Sequence, residues 1–311
     1  MEDNYILQTF DLTKKYQGRT VVDKVNMHIK QGDIYGFVGE NGAGKTTIMR
    51  MITGLTLPNG GSFTLFGCDN NSKEINKAKQ NVSAIVEAVS FTKNMSAIDN
   101  LKMQCMITDI KKSDAELWEL LAKVGLEENQ IKGKKVGNFS LGMRQRLGIA
   151  MAMINNPKFV LLDEPMNGLD PQGFIEIRET IKRLNDEGVT FLISSHLLSE
   201  LEKTVTCVGF ISHGKMLEEL TIEELHQKAR KKLVIGLKNE LDMSQTIKLL
   251  NINEYAVKNN DLIIYDELDI NDCLNKLVQN KIEINKINML EDTIENYYIN
   301  LITRGDLWEM F

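Results

Sequence analysis

Gly39-Glu40-Asn41-Gly42-Ala43-Gly44-Lys45-Thr46-Thr47 follows directly on the apolar run Ile34-Tyr35-Gly36-Phe37-Val38. Gly39 to Thr46 fit G-x-x-x-x-G-K-[ST], a pattern whose glycines let the backbone curl into a concave loop with its N–H groups turned inward. Those donors, and the positive end of the helix that opens at Thr46, make a cradle for phosphate anions. Lys45 is placed to reach the β- and γ-phosphates, and the Thr46 hydroxyl can serve as an oxygen ligand for Mg²⁺. The loop therefore implies a bound nucleoside triphosphate, held through Gly39, Glu40, Asn41, Gly42, Ala43, Gly44, Lys45, Thr46 and Thr47.

Outward from the loop, short apolar segments alternate with helical stretches. Phe159 to Leu162 and Val189 to Ile193 are continuous apolar runs, which mark strands covered on both faces in a parallel sheet. Each is preceded by a helical stretch, so the core reads as α/β. Residues 5–10 and 25–29 read as paired strands with a turn at Gln17-Gly18-Arg19, and Phe63 to Phe66 as a further strand. From about Asp99 to Leu126 the pattern is helical, with Leu101, Cys105, Leu117, Leu120, Leu121 and Val124 on one face. Near Gly214 the character changes, and Arg230-Lys231-Lys232 marks a polar junction. Beyond it Leu233 to Leu237 and Leu262 to Tyr265 read as strands, and Ile247 to Leu250 and Leu274 to Val278 as amphipathic helices. Asn288-x-x-Glu291 reads as the cap of a last helix that carries Leu290, Ile294, Tyr297 and Leu301 on one stripe.

Phe159-Val160-Leu161-Leu162-Asp163-Glu164-Pro165 decides which phosphate chemistry is involved. Asp163 stands at the carboxyl end of a buried strand, where an open α/β sheet collects its ligands, and can hold Mg²⁺ through water. Glu164, next along the chain, can polarise a water that attacks the γ-phosphate. Upstream lies Asn138-Phe139-Ser140-Leu141-Gly142-Met143-Arg144-Gln145-Arg146. A serine hydroxyl and a glycine N–H at a helix N-terminus make a second anion site.

With these residues in place, the chain resembles the nucleotide-binding subunits of ABC transporters over roughly residues 4–217. The family motif L-S-G-G-Q reads F-S-L-G-M here: Ser140 and Gly142 are kept, Leu141 replaces a glycine and Met143 the glutamine. Tyr16 stands where the family stacks an aromatic ring on adenine. Glu87 takes the place of a glutamine that senses Mg²⁺ and the membrane partner. Gly168-Leu169-Asp170 matches the loop that crosses the dimer interface, and His196 matches the family's γ-phosphate histidine. The resemblance implies a P-loop NTPase core of the ABC ATPase type over residues 1–217, with a helical subdomain at about 88–158. A small C-terminal α+β module follows at 218–311. It also implies two chains facing head to tail, a homodimer, with ATP and Mg²⁺ between Lys45 and Thr46 of one and Ser140 and Gly142 of the other. Thr46, Asp163 and Glu87 would address the metal; Lys45, Glu164 and His196 would act in hydrolysis; Asp170 would line the interface. A separate integral-membrane permease would dock near Glu87 and residues 90–125, so the chain would lie in the cytoplasm on the inner face of the cell membrane. The F-S-L-G-M-R-Q-R-L stretch, Glu87 and the C-terminal module are similar to bacterial exporters of bacitracin, lantibiotics and related peptides.

Composition limits the alternatives. Lys and Arg number 37 against 43 Asp and Glu, so no basic excess exists for a nucleic-acid backbone. No stretch approaches 18 apolar residues, and the acidic start Met1-Glu2-Asp3-Asn4 lacks the apolar core of a signal peptide. The four cysteines, without a C-x-x-C pair, suit reduced thiols rather than zinc or disulfides. A soluble ABC-type ATPase acting on ribosomes or DNA usually has two such domains or a long inserted coiled coil, and neither is present. An importer subunit with a regulatory C-terminal module remains a second reading.

Overall fold

The computed structural model describes residues 4–87, 89–196, 198–228, 232–266, 268–290 and 294–308, and it divides into two compact units, Met1–Ile222 and Glu223–Phe311. The first opens with β1 (Tyr5–Tyr16), β2 (Arg19–Val25) and β3 (His28–Lys30), then β4 (Ile34–Val38), the phosphate loop and α1 (Lys45–Thr53). β5 (Gly60–Leu65), β6 (Cys68–Asp69), α2 (Ile75–Lys79) and β7 (Val82–Ile85) follow. Next come α3 (Ala97–Thr108), α4 (Asp114–Lys123), α5 (Glu128–Ile131) and α6 (Leu141–Ala152). The unit closes with β8 (Phe159–Asp163), α7 (Pro171–Asp186), β9 (Thr190–Ser195), α8 (Leu198–Leu201), β10 (Cys207–Ser212) and β11 (Lys215–Thr221).

Two sheets share the core of this unit. One runs β11-β10-β4-β9-β8-β7, parallel except for β11; the other is antiparallel, β2-β1-β5-β6, with β3 also on β1. β4, β8 and β9 are buried at every residue, as their unbroken apolar runs require. Between the sheets lies a cluster that takes Leu7, Val22, Phe63 and Leu65 from one side and Phe37, Phe159 and Leu161 from the other, with Ile48, Met49 and Ile52 of α1. The glycine-rich loop is thereby anchored between the buried strand β4 and the buried face of α1.

The stretch read as one helical region from about Asp99 to Leu126 is two helices. α3 is capped by Ser96 and ends where Asp109 takes a left-handed conformation (φ 54°). α4 then restarts on a capping box in which Ser113 and Glu116 satisfy each other's backbone N–H groups. The apolar spacing carries through the break because both helices bury the same kind of face: Leu101 and Cys105, then Leu117, Leu120 and Leu121.

The second unit contains α9 (Ile222–Lys228, straddling the boundary), β12 (Lys232–Leu237), α10 (Met243–Leu250), β13 (Tyr255–Lys258), β14 (Asp261–Ile264), α11 (Ile270–Gln279), β15 (Ile284–Leu290) and α12 (Ile294–Trp308). Its antiparallel sheet runs β13-β14-β12-β15, the β-α-β-β-α-β arrangement of a ferredoxin-like module. Leu233, Ile235, Leu237, Leu262 and Ile264 face Met243, Leu250, Cys273 and Leu277 of the two crossover helices. Asn288 does not cap a helix. It lies in β15 opposite Val234, because pairing with β12 satisfies the backbone of 284–290 and Ile287 packs on the core. The last helix starts only at Ile294; Glu291, like Arg230 and Lys231, lies outside the described residues. No helix among the described residues is long and apolar enough to cross a membrane.

Candidate functional site

β4, β9 and β8 are neighbours in the parallel sheet, and all three end at the same edge. β4 delivers the phosphate loop there, β8 delivers Asp163 and Glu164, and β9 delivers Ser194, Ser195 and His196. Glu87, two residues past the end of β7, emerges on the same edge beside β8.

The loop's geometry follows from its glycines. Gly44, the residue before α1, has φ 109°, which only glycine adopts without strain. A Cβ on Gly39 would stand 2.5 Å from the carbonyl oxygen of Ile211, so the first loop position has no room for one. Lys45 is 6% exposed, and its ammonium donates to the Gly39 carbonyl at 2.5 Å and the Glu40 carbonyl at 3.2 Å. Burial pulls the Lys45 ammonium below the usual lysine range, while the Glu164 and Asp163 carboxylates pull it back up. Lys45 thus spans the loop from the first turn of α1 to the Gly39 and Glu40 carbonyls.

A chain of short hydrogen bonds links the three strand ends. Thr46 Oγ1 donates to Asp163 Oδ2 at 2.8 Å, and Ser194 Oγ donates to Asp163 Oδ1 at 2.6 Å. The same Ser194 hydroxyl accepts the Glu164 N–H at 2.9 Å. That bond helps to hold Glu164 at φ 50°, a left-handed conformation that a residue with a side chain seldom adopts. One carboxylate oxygen of Glu164 lies 2.7 Å from Nδ1 of His196. The other, Oε1, is buried, 3.6 Å from Lys45 Nζ, and has no hydrogen-bond partner among the described residues. A buried carboxylate oxygen without a donor, aimed beside the phosphate-binding lysine, is suited to receive a hydrogen bond from a water that arrives with the nucleotide.

Ser194 is the member that the sequence reading missed. It was legible only as one of the hydroxyls in a buried strand, and its role depends on the register that sets it opposite Asp163. A hard divalent cation fits the donor set: the Thr46 hydroxyl and the Asp163 carboxylate already converge, and both are the oxygen donors such an ion takes. Glu87 is not gathered into this cluster. Its carboxylate pairs with the Arg50 guanidinium, one helical turn beyond Thr46 on α1, with φ 72° at Glu87.

Tyr16 ends β1 at the hairpin tip, 41% exposed, with the Lys14 ammonium 5.1 Å from its ring centre. The hairpin is tied to the loop region: Asp23 N–H donates to the Gly214 carbonyl, and Gly214 N–H to the Ala43 carbonyl. Ser140, Gly142 and Asp170 lie elsewhere. Ser140 caps α6 by accepting the Met143 N–H at 3.1 Å, and Asp170 caps α7 by accepting the Gly173 N–H at 3.0 Å. Leu141, which replaces a glycine of the motif, is 39% exposed and leans on Gly168. Among the described residues no hydrogen bond joins Ser140 or Asp170 to the Lys45 cluster.

Comparison with known proteins agrees with this geometry. The sequence model of the ABC transporter family matches residues 22–167. The bacitracin transport ATP-binding protein BcrA of Bacillus licheniformis is 43% identical over 309 residues, spanning 97% of this chain and 99% of that protein. The lantibiotic transport ATP-binding protein SrtF of Streptococcus pyogenes is 44% identical over 214 residues, 69% of this chain and 90% of that one. Among solved structures, the ADP conformation of MJ1267, an ATP-binding cassette of an ABC transporter, superimposes with a TM-score of 0.64 at 23% identity, over 71% of this chain and 93% of that chain. The post-hydrolysis dimer of the cassette MJ0796 with ADP and Pi gives 0.60 at 23% identity, over 70% and 98%. At such identities the structures speak for the fold alone.

Proposed function

Because the chain belongs to the ABC transporter ATP-binding family, and is an ATPase subunit whose hydrolysis is coupled to transport, we propose that two copies close head to tail on two ATP molecules and drive the export of a peptide antibiotic of the bacitracin or lantibiotic type. The cargo class rests on the names of the two relatives above. A separate permease would carry the peptide across the bilayer. The groove between β7 and α6, lined by Ile85, Val86, Val89, Gln104, Gly148 and Met151, beside Glu87, would take a cytoplasmic segment of that permease.

The observation that carries the hydrolytic part is the Thr46–Asp163–Ser194–Glu164–His196 chain ending in the unpartnered Oε1 of Glu164. In this reading the loop N–H groups and Lys45 grip the β- and γ-phosphates. Thr46 and Asp163 would hold Mg²⁺, which when bound spreads the charge of the phosphate oxygens. Glu164 accepts a proton from the attacking water while His196 fixes the direction of its carboxylate. Ser140 and the Gly142 N–H would reach the γ-phosphate held by the other copy, so ATP favours the closed dimer and its hydrolysis lets the dimer open.

The test is sedimentation of a Glu164→Gln chain with and without MgATP. A dimer that forms only with ATP, and dissolves when the nucleotide is removed, is the expected result; a chain that stays monomeric at saturating ATP refutes the composite site. Stimulation of the purified chain–permease complex by bacitracin, measured as phosphate release in proteoliposomes, tests the cargo class, and an unresponsive complex overturns it.

A further inference from the structure

The first turns of α6 and α7 carry Ser140 and Asp170, and a single buried cation lies one turn behind them. Arg146, 8% exposed, is four residues past Gly142 and so shares its face of α6. One guanidinium nitrogen, Nη2, is 2.9 Å from Glu176 of α7, and the other, Nη1, donates to the Gly125 carbonyl at 2.5 Å, just beyond α4. Nη1 leaves no space at Gly125, where a Cβ would come within 2.9 Å of it. One further bond anchors the same turn to α7: Arg183 Nη1 donates to the Lys123 carbonyl at 2.6 Å. The carbonyls of Lys123 and Gly125, at the end of α4, are thus caught by guanidinium groups of α7 and α6.

In front of Arg146 the two helices approach closely at Gly142 and Gly173. A Cβ on Gly142 would stand 3.8 Å from Gly173 Cα, 3.7 Å from Leu169 and 3.9 Å from the Glu176 carboxylate. Leu141 leans on Gly168 and Leu169 on Gly142, so the segments preceding the two helices interlock. Among the described residues no other ion pair joins α6 to α7, and the contact at the helix tips is the packing of Leu141 and Leu169 against Gly168 and Gly142. We infer that Arg146, through Glu176, is a positioning residue for the in-trans half of the ATP site: it sets the spacing and tilt of the Ser140 and Asp170 helix ends that a second copy's γ-phosphate must meet. This rests on the composite-site reading above. Arg146 itself touches no nucleotide in this scheme; it acts by keeping two helix N-termini in register.

Glu176→Gln is the primary variant, because it keeps the size and one acceptor of the side chain while removing its charge; Arg146→Lys is the second. Both are made in the Glu164→Gln chain. Two quantities are read: fluorescent-ATP affinity of the monomer at low protein concentration, and the MgATP-dependent dimer dissociation constant by sedimentation. Monomer affinity within twofold of the parent, with a dimer weakened at least tenfold, is the expected result. In the otherwise natural chain, kcat should fall in parallel with little change in the nucleotide dependence of the monomer. A purely structural pair would instead lower the melting temperature and leave the dimer constant of the folded fraction unchanged, and that result overturns the inference. Equal losses of monomer and dimer affinity overturn it as well. If the parent Glu164→Gln chain itself forms no ATP-dependent dimer, the composite-site reading has failed first, and the inference falls with it.

Discussion

The two halves of the proposed composite nucleotide site are built by opposite means. On the phosphate-loop side, Lys45, Thr46, Asp163, Ser194, Glu164 and His196 are linked by hydrogen bonds and an ion pair at the ends of the buried strands β4, β8 and β9. On the serine side, Ser140 and Asp170 are exposed, and each bonds only to the backbone of its own helix. The first half is held together by its own hydrogen bonds. The second presents two helix N-termini, with their orphan N–H groups and partial positive charge, to whatever comes from outside. A site in which binding and chemistry lie on one surface and the closing contact on another can be switched by assembly, which is what a mechanical ATPase needs.

The contrast can be broken at four points, in falling order of effect. Glu164→Gln should lower turnover by about 10²–10⁴-fold, the range for removal of a general base, with ATP affinity retained. Steady-state phosphate release measures it, and turnover near the natural rate would remove Glu164 from the chemistry. Lys45→Ala should weaken nucleotide binding by about 10–100-fold, since a charge-assisted bond contributes roughly 1.5–3 kcal/mol; equilibrium dialysis of labelled ATP would show it. Ser194→Ala strips a partner from both Asp163 and the Glu164 N–H, at a cost of about 1–3 kcal/mol. It should lower both the melting temperature and kcat, and a change in neither would show that the strand ends hold their arrangement without the hydroxyl. Ser140→Ala removes a helix cap worth about 1 kcal/mol. ATP binding by the monomer should stay the same while ATP-driven dimerisation weakens, so a loss of monomer affinity would mean that the two halves are not separate.

How much of this was legible beforehand differs between regions for physical reasons. The phosphate loop could be read because its glycines permit a turn that other residues resist, and β4, β8 and β9 because strands covered on both faces stand out as short, largely apolar runs. The C-terminal unit was read as mixed α and β, yet Asn288 was assigned to a cap. A polar residue among isoleucines fits either a helix start or a half-exposed strand, and only the pairing with β12 decides between them. The break at Asp109 was invisible because two helices burying similar faces leave one apolar rhythm. Ser194 was marked only by being a hydroxyl in a buried strand, and Glu87, at the place of the family's metal-sensing glutamine, pairs with Arg50.

By itself, the sequence determined that a phosphate cradle sits between a buried strand and a helix, and that a carboxylate pair ends another buried strand. These are matters of local dihedral freedom and of which side chains tolerate burial. Only the tertiary structure decided that Thr46 meets Asp163 across 117 residues, that Ser194 joins Asp163 to the backbone of Glu164, and that Arg146 ties the two outward-facing helix ends together. Strand order and register bring those atoms within hydrogen-bonding distance, and neither is written in any one stretch of chain.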